Sequence, residues 1–472
     1  MKFTSIRNIL FYVFLCTVTY SYSQNTLRLK KGQVIDSLTV PSSKGVYSIY
    51  LPTSLDLNKG WPILFGFDST GRMNEFTNVF KNSAEEFGYI VVVSNYSEKL
   101  SSEEKSNYIA LFIKHMVSLF PIQNERMYVF GVGKDAPLNT SLPLLYKHFS
   151  GAIAIGDSYN YYQKIGRNKN FSYVGMVGDK NFRTLDFIDI DKYFKRKKIS
   201  SEVSFFDGKD ELPSSEVISK ALPYFTLDAM AKGMIPKDSV WIANRYKRDK
   251  ELVSLLKKEG KYIRAYDELT QMMSRYDSYF NVDNLKEEKK EIKKVNSYKK
   301  EKRLITRHQN QEIFLRQSLF FSLEEDIELN QYDNLGWWQY KMTELEKRQK
   351  EGGVHVTNMV IRLRGFLKNV LSDYKKELVN KEKEEDRKIF LNILSTIVDK
   401  DDFESYRNII SLSTIDQDDE TALFYLEKML QQGYKEIESL YNIDGTLALR
   451  VSKEYNGIIK QYLGTSKYFN FD

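Results

Sequence analysis

Short apolar runs recur through the first half of the chain, at residues 46–51, 63–65, 90–93, 127–130, 152–155, 174–177 and 203–206. Each is uninterrupted and rich in β-branched or aromatic residues, the pattern of strands covered on both faces. Between most of them the apolar residues shift to helical spacing. Over 107–119, Tyr108, Leu111, Phe112, His115, Met116 and Leu119 fall on one helical face. Such strand–helix repetition predicts an α/β domain built on a mostly parallel, doubly wound sheet. Ligands of these sheets sit beyond the carboxyl ends of the strands, so chemistry is expected in the loops after Phe67, Ser94, Phe130, Ile155, Val177 and Phe206.

Beyond Pro236 the spacing is helical throughout, as in Leu252, Val253, Leu255 and Leu256 or Ala265, Leu269, Met272 and Met273. All nine prolines lie between Pro41 and Pro236, and charged residues rise from 48 of 212 over 24–235 to 83 of 237 over 236–472. An α/β domain over 24–235 followed by an all-helical domain over 236–472 is the expected organisation. The very polar run 286–303 predicts one long helix with a thin apolar stripe, a disordered linker being the alternative. Trp337 and Trp338 begin another helix, and further helices are expected over 359–371 and 389–398. An exposed tryptophan pair would be a contact hot spot, whereas packing between helices is the commoner use.

Residues 1–23 have the form of an export signal peptide: Lys2 and Arg7, an apolar run over 9–15, then Ser21 and Ser23 before Gln24. Cleavage is expected after Ser23, which makes the mature protein periplasmic, secreted or surface-associated. A retained anchor is the alternative, but the run falls short of the roughly 20 residues that a spanning helix needs. The single cysteine, Cys16, lies in this leader behind Phe14 and Leu15, where a lipoprotein signal wants a small residue. The mature chain then has no disulfide, no Cys-ligated metal and no Cys nucleophile. The net charge of +7 is spread as 26 basic and 22 acidic groups over 24–235 and 42 and 41 over 236–472. Neither half forms a nucleic-acid surface. The basic cluster 195–198 ends a helix before an extended run and complements its dipole.

Residues 46–230 resemble the exported α/β-hydrolase esterases of the dienelactone-hydrolase and polyester-depolymerase type. The likeness runs from Trp61-Pro62-Ile63-Leu64-Phe65 into Asp68-Ser69-Thr70-Gly71-Arg72, and through Gly88-Tyr89-Ile90-Val91-Val92-Val93 to Arg126-Met127-Tyr128-Val129-Phe130-Gly131. It continues in Val177-Gly178-Asp179-Lys180-Asn181-Phe182 and Phe206-Asp207-Gly208-Lys209-Asp210. Hydrolases of this kind carry a serine on a G-x-S-x-G elbow, but here the segment is Gly131-Val132-Gly133-Lys134-Asp135. Gly133 holds the serine position and has no side chain to attack with. Asp135 replaces the last elbow glycine and is expected to crowd the helix. The acid position implied by the resemblance is Asn181 and the histidine position is Asp210, so no catalytic residue is expected. The domain's two histidines, His115 and His148, lie away from the strands' carboxyl ends. Gly133-Lys134 is not a phosphate loop, because Tyr128 stands where its first glycine belongs. Asp68, Asp179, Asp207 and Asp210 lack the His neighbours or regular spacing of a cation site and read as solvated turn residues. No cofactor or metal is expected.

The old cleft remains as a candidate ligand site formed by Asp68, Arg72, Lys134, Tyr159, Tyr161 and Tyr162. Its tyrosines could stack on a sugar or grip a peptide, or they could pack the loop onto the sheet, which is the favoured reading. Residues 419–463 resemble the closing repeat of tetratricopeptide arrays through Ala422, Tyr425, Leu426, Gly433, Tyr434, Leu440, Asp444, Leu449, Arg450, Tyr455 and Ile459, with Gly445 in place of the usual proline. That resemblance implies a helix surface that binds a protein or peptide. The expectation is therefore an exported, non-catalytic binding or scaffold protein, a pseudo-hydrolase joined to a helical interaction domain. Its alternatives are a serine esterase with a rearranged site and a sugar or peptide receptor using the old cleft.

Overall fold

The computed structural model describes residues 29–41, 43–161, 171–209, 212–379, 381 and 384–469. The expected leader with Cys16, together with Tyr162 and Asp210, lies outside the described residues. The first half runs β1 (Val34–Thr39), β2 (Val46–Tyr50), β3 (Trp61–Asp68), α1 (Met73–Phe87), β4 (Ile90–Asn95), α2 (Ser102–Leu119), β5 (Ile122–Val132), α3 (Ala136–Leu145) and β6 (Phe149–Ile155). It ends with β7 (Ser172–Gly178), α4 (Thr184–Lys197), β8 (Ser201–Phe206), α5 (Ser215–Ile218) and α6 (Ala221–Ala231). The strands form one sheet in the order β1-β2-β4-β3-β5-β6-β7-β8. Strand β2 pairs antiparallel with both β1 and β4, and β3 through β8 are parallel.

Period-two alternation sends neighbouring residues to opposite faces of this sheet. Leu64, Val91, Val93, Tyr128 and Phe130 pack on α1 and α6 through Phe76, Phe80, Leu222 and Phe225. Ile63, Phe65, Ile90, Val92 and Val129 pack on α2 through Ile109, Phe112 and Met116. Helix α2 begins with a capping box between Ser101 and Glu104. Its Leu119, placed by the sequence on the buried face, is 43% exposed because the helix ends there.

The second half is all-helical: α7 (Ser239–Lys258), α8 (Tyr262–Tyr276), α9 (Asp283–Lys294), α10 (Asn296–Leu329), α11 (Leu335–Glu351), α12 (Val354–Leu378), α13 (Glu385–Val398), α14 (Phe403–Ile415), α15 (Asp419–Gln431), α16 (Ile437–Leu440) and α17 (Lys453–Leu463). Leu227 and Met230 of α6 share one core with α7–α9. The compositional break at Pro236 is thus bridged by apolar packing. The polar run 286–303 is two helices and not one, with Val295 extended between α9 and α10. Ile292 and Tyr298 are both buried in the same core, although six residues on a straight helix would point them about 120° apart. The bend lets both face inward. Trp338 is fully buried and its indole N–H donates to Asp326 Oδ2 at 2.7 Å, while Trp337 stays 37% exposed. Among the described residues no helix is long and apolar enough to cross a membrane.

Candidate functional site

Strand β5 delivers Gly133 to the carboxyl edge of the sheet with φ +52°, a left-handed conformation that glycine takes without steric cost. A Cβ added at Gly133 would meet nothing within 4 Å, so this position opens outward. The turn is tight: a Cβ at Gly131 would lie 2.5 Å from Ala136 Cα. Asn139 pins it to β3, accepting from Phe67 N–H at 3.0 Å and donating to Phe67 O at 2.8 Å.

Asp135 does not crowd α3, contrary to expectation. It turns toward the loop after β3, where Oδ2 accepts the Ser69 backbone N–H at 2.8 Å and Oδ1 accepts the Ser69 hydroxyl at 2.8 Å. The Tyr96 hydroxyl also donates to Oδ1. Burial, then the hydrogen bond to Asp135, pushes that phenol well above its usual range. Asp68 treats the same loop similarly, accepting from Thr70 N–H at 2.9 Å and Arg72 N–H at 2.6 Å. The amides of residues 69, 70 and 72 are therefore all bonded to carboxylates.

Gly133 and Asn181 come together at Gly156, whose added Cβ would lie 3.9 Å from Gly133 N and 3.7 Å from Asn181 Nδ2. Asn181 is 4% exposed and closes its own turn, Oδ1 accepting from Arg183 N–H at 2.7 Å. Beside it Arg183 Nε lies 3.3 Å from Asp157 Oδ1. Burial pushes the Asp157 carboxyl upward, and the charge of Arg183 opposes that shift. Lys134 is half-exposed and pairs with Glu98 at 2.9 Å.

The other residues assigned to the ligand cleft separate. Arg72 turns to Glu75 at 2.6 Å on the surface and lies over Phe76. Asp68 is buried in the loop it organises. Tyr159 is half-buried, edge-on to Tyr161. Tyr161 takes the packing role: it is fully buried among Phe171, Tyr173 and Phe194, and its hydroxyl donates to Thr140 O at 2.7 Å. Among the described residues no group of three or more His, Cys, Asp or Glu could hold a metal ion.

The sequence gives no warning of what covers the loop after β7. Glu312 of α10 is fully buried and bonded to Arg316 at 2.7 Å and to Arg362 Nε of α12 at 2.9 Å. The same arginines reach across the chain: Arg362 donates to Asp179 O at 2.6 Å and Arg316 to Phe182 O at 2.6 Å. Asn358 donates to Asp179 Oδ2 at 2.7 Å, and a Cβ on Gly365 would lie 3.2 Å from Phe182 Cβ. Asn358, Arg362 and Gly365 follow an i, i+4, i+7 pattern, so one face of α12 clamps this loop. The i, i+4 spacing of Glu312 and Arg316 was the only available signal, and it reads as an ordinary surface pair.

No protein-family model matches the chain. No curated protein matches it either. Among solved structures, a fluorophosphonate-binding serine hydrolase of Staphylococcus aureus matches at 11% identity and a TM-score of 0.34, over 41% of this chain and 97% of that one. A ferulic acid esterase matches at 12% identity and 0.34, over 42% and 98%. An esterase of Pyrobaculum calidifontis matches at 11% identity and 0.35, over 49% and 94%.

Proposed function

We propose that the chain is an exported, non-catalytic binding or scaffold protein, in which a hydrolase-like sheet domain lacks a nucleophile and a tetratricopeptide-like helical domain makes partner contacts. One observation carries the reading: at the edge where a serine and its oxyanion site would stand there is Gly133, and the Asp135 carboxylate holds the Ser69 amide. No hydroxyl or thiol stands at the elbow position itself, and the nearby Ser69 hydroxyl is a donor to the Asp135 carboxylate from the loop after β3. The clamp of α10 and α12 on the loop after β7 further supports a cleft edge turned to holding the helical domain. The charged, then apolar, then small-residue start of the sequence supports export, and a mature chain beginning at Gln24 in envelope fractions is the expected finding.

Turnover of activated short-chain esters by the purified protein tests the reading. No hydrolysis above the buffer rate is expected. Saturable turnover, abolished by changing one serine, would establish the esterase alternative instead.

A further inference from the structure

Helix α10 runs for 34 residues, and its outward face sorts its charges by sign. Helical spacing puts Arg303, Arg307, Phe321, Glu325 and Glu328 within about 40° of the direction of Phe314, opposite the side that buries Glu312, Leu319 and Leu323. All six outward side chains are exposed. Phe314 and Phe321, at 68% and 69%, are the two most exposed phenylalanines among the described residues. From 309 to 323 the only charged residues are Glu312 and Arg316, and both belong to the inward clamp. The outward stripe therefore reads basic, then neutral with two aromatic rings, then acidic.

Surface helices usually mix their charges, as the preceding α9 does. There Lys286, Lys290 and Lys294 each bond to the acid three residues before, at 2.8, 2.7 and 2.6 Å. Among the described residues Arg303, Arg307, Glu325 and Glu328 make no ion pair. Arg303 and Arg307 are four apart and Glu325 and Glu328 three apart, so each stands beside a like charge, which costs helix stability. The order also opposes the helix dipole: α10 has no acid in its first turn, where Lys299 lies, and no base in its last, where Glu328 lies. Nothing in a single chain compensates this arrangement.

We propose that two copies of the chain pair along α10, antiparallel about a two-fold axis at residues 317 and 318. Phe314 of one copy then lies level with Phe321 of the other, and the four rings cover one another. The same register brings Arg307 within a turn of Glu325 of the other copy and Arg303 about a turn from its Glu328, so every unpaired charge meets its opposite. A parallel pair would set base against base. The contact is about 38 Å long and one helix diameter wide, roughly 400 Å² a side, which is half of a standard interface. The dimer is therefore weak, reversible and sensitive to salt. This self-contact is independent of whether the sheet domain turns over esters.

Sedimentation equilibrium of the mature protein at low salt, from about 1 to about 300 μM, tests the proposal. A monomer–dimer equilibrium within that range is expected, weakened in high salt. Arg303→Glu with Arg307→Glu, and separately Glu325→Arg with Glu328→Arg, should each weaken self-association by at least about tenfold. Mixing these two double variants should restore a dimer with one copy of each, which a variant that failed to fold could not form. Phe314→Ala with Phe321→Ala should also weaken the dimer by at least about tenfold. The substituted side chains are exposed, so all three variants should keep the wild-type circular dichroism. A monomer throughout the range, unchanged self-association in the folded charge variants, or no mixed dimer overturns the proposal.

Discussion

The Asp135 carboxylate ties two strand-end loops together, and its partners show what removing it would expose. Asp135→Ala leaves the Ser69 amide and the Tyr96 hydroxyl without their acceptor in a site only 3% exposed at residue 135. Stripping the partner from such donors costs about 1–3 kcal/mol. Chemical denaturation should read that loss, with no gain of esterase activity; a change below a few tenths would mean that water replaces the carboxylate freely. Part of this was legible in the chain itself. The glycines at 131 and 133 were visible at the elbow position, and there the turn is tight and Gly133 left-handed. The Asp135–Ser69 contact joins residues 66 apart, and no local pattern reports which way a turn aspartate will face. Tyr161 was open between two roles for a related reason: an apolar ring with a polar tip suits a cleft and a core equally, and only its neighbours decide.

At the scale of elements, the sheet strands were readable because runs buried on both faces stay apolar throughout. Strand β1 was not, since Val34–Thr39 is a part-exposed edge strand in which Asp36 and Ser37 interrupt the apolar pattern. The clamp helices were legible as helices but not as a clamp. Replacing Glu312 by glutamine leaves the Arg316 and Arg362 charges buried without their counter-charge, which should cost about 3–5 kcal/mol in denaturant unfolding. A loss below about 1 kcal/mol would mean that the two arginines are held by Asp179 O and Phe182 O alone.

The helices also set a pH limit. Burial alone would raise Glu346, Glu288 and Asp402, but hydrogen bonds and charges from Lys400 and Arg364, from Lys250 and Lys257, and from Ser405 and Lys375 outweigh it and hold all three below their ordinary values. A carboxyl with a depressed folded pKa contributes stability above its unfolded value and loses it as pH falls through the folded one. Melting temperature should therefore be flat with respect to these groups above pH about 5 and fall as pH drops below about 4. The fall should shrink in high salt, because these pairs are partly exposed. A melting temperature that rises on acidification would contradict the sign.

Across the whole molecule, the two halves meet through a second buried network. Arg275 of α8 donates to both oxygens of Glu202 in β8 at 2.8 Å each, and also bonds to Asp249 of α7 and to Glu268. Lys220 and Arg245 join the same carboxylates at 2.7 and 3.1 Å, so three cations face three anions. Charge composition changes near Pro236, yet it could not register an ion network or an apolar core that crosses that point. Arg275→Met strands the buried Glu202 carboxylate, leaves Asp249 and Glu268 with one cation each, and should lower stability by about 3–5 kcal/mol. It should also turn one unfolding transition into two, with proteolytic cuts appearing over 232–238. Two transitions in the unmodified protein would show that the halves fold independently.

The most direct measurement on the sheet domain's chemistry is the intact mass of the mature protein after treatment with a fluorophosphonate, which reacts with an activated serine whatever the substrate. With glycine at the elbow and a carboxylate on the Ser69 amide, the mass should remain that of the unmodified chain. Stoichiometric addition of one phosphonyl group at a single serine would contradict this and locate a working nucleophile elsewhere in the cleft.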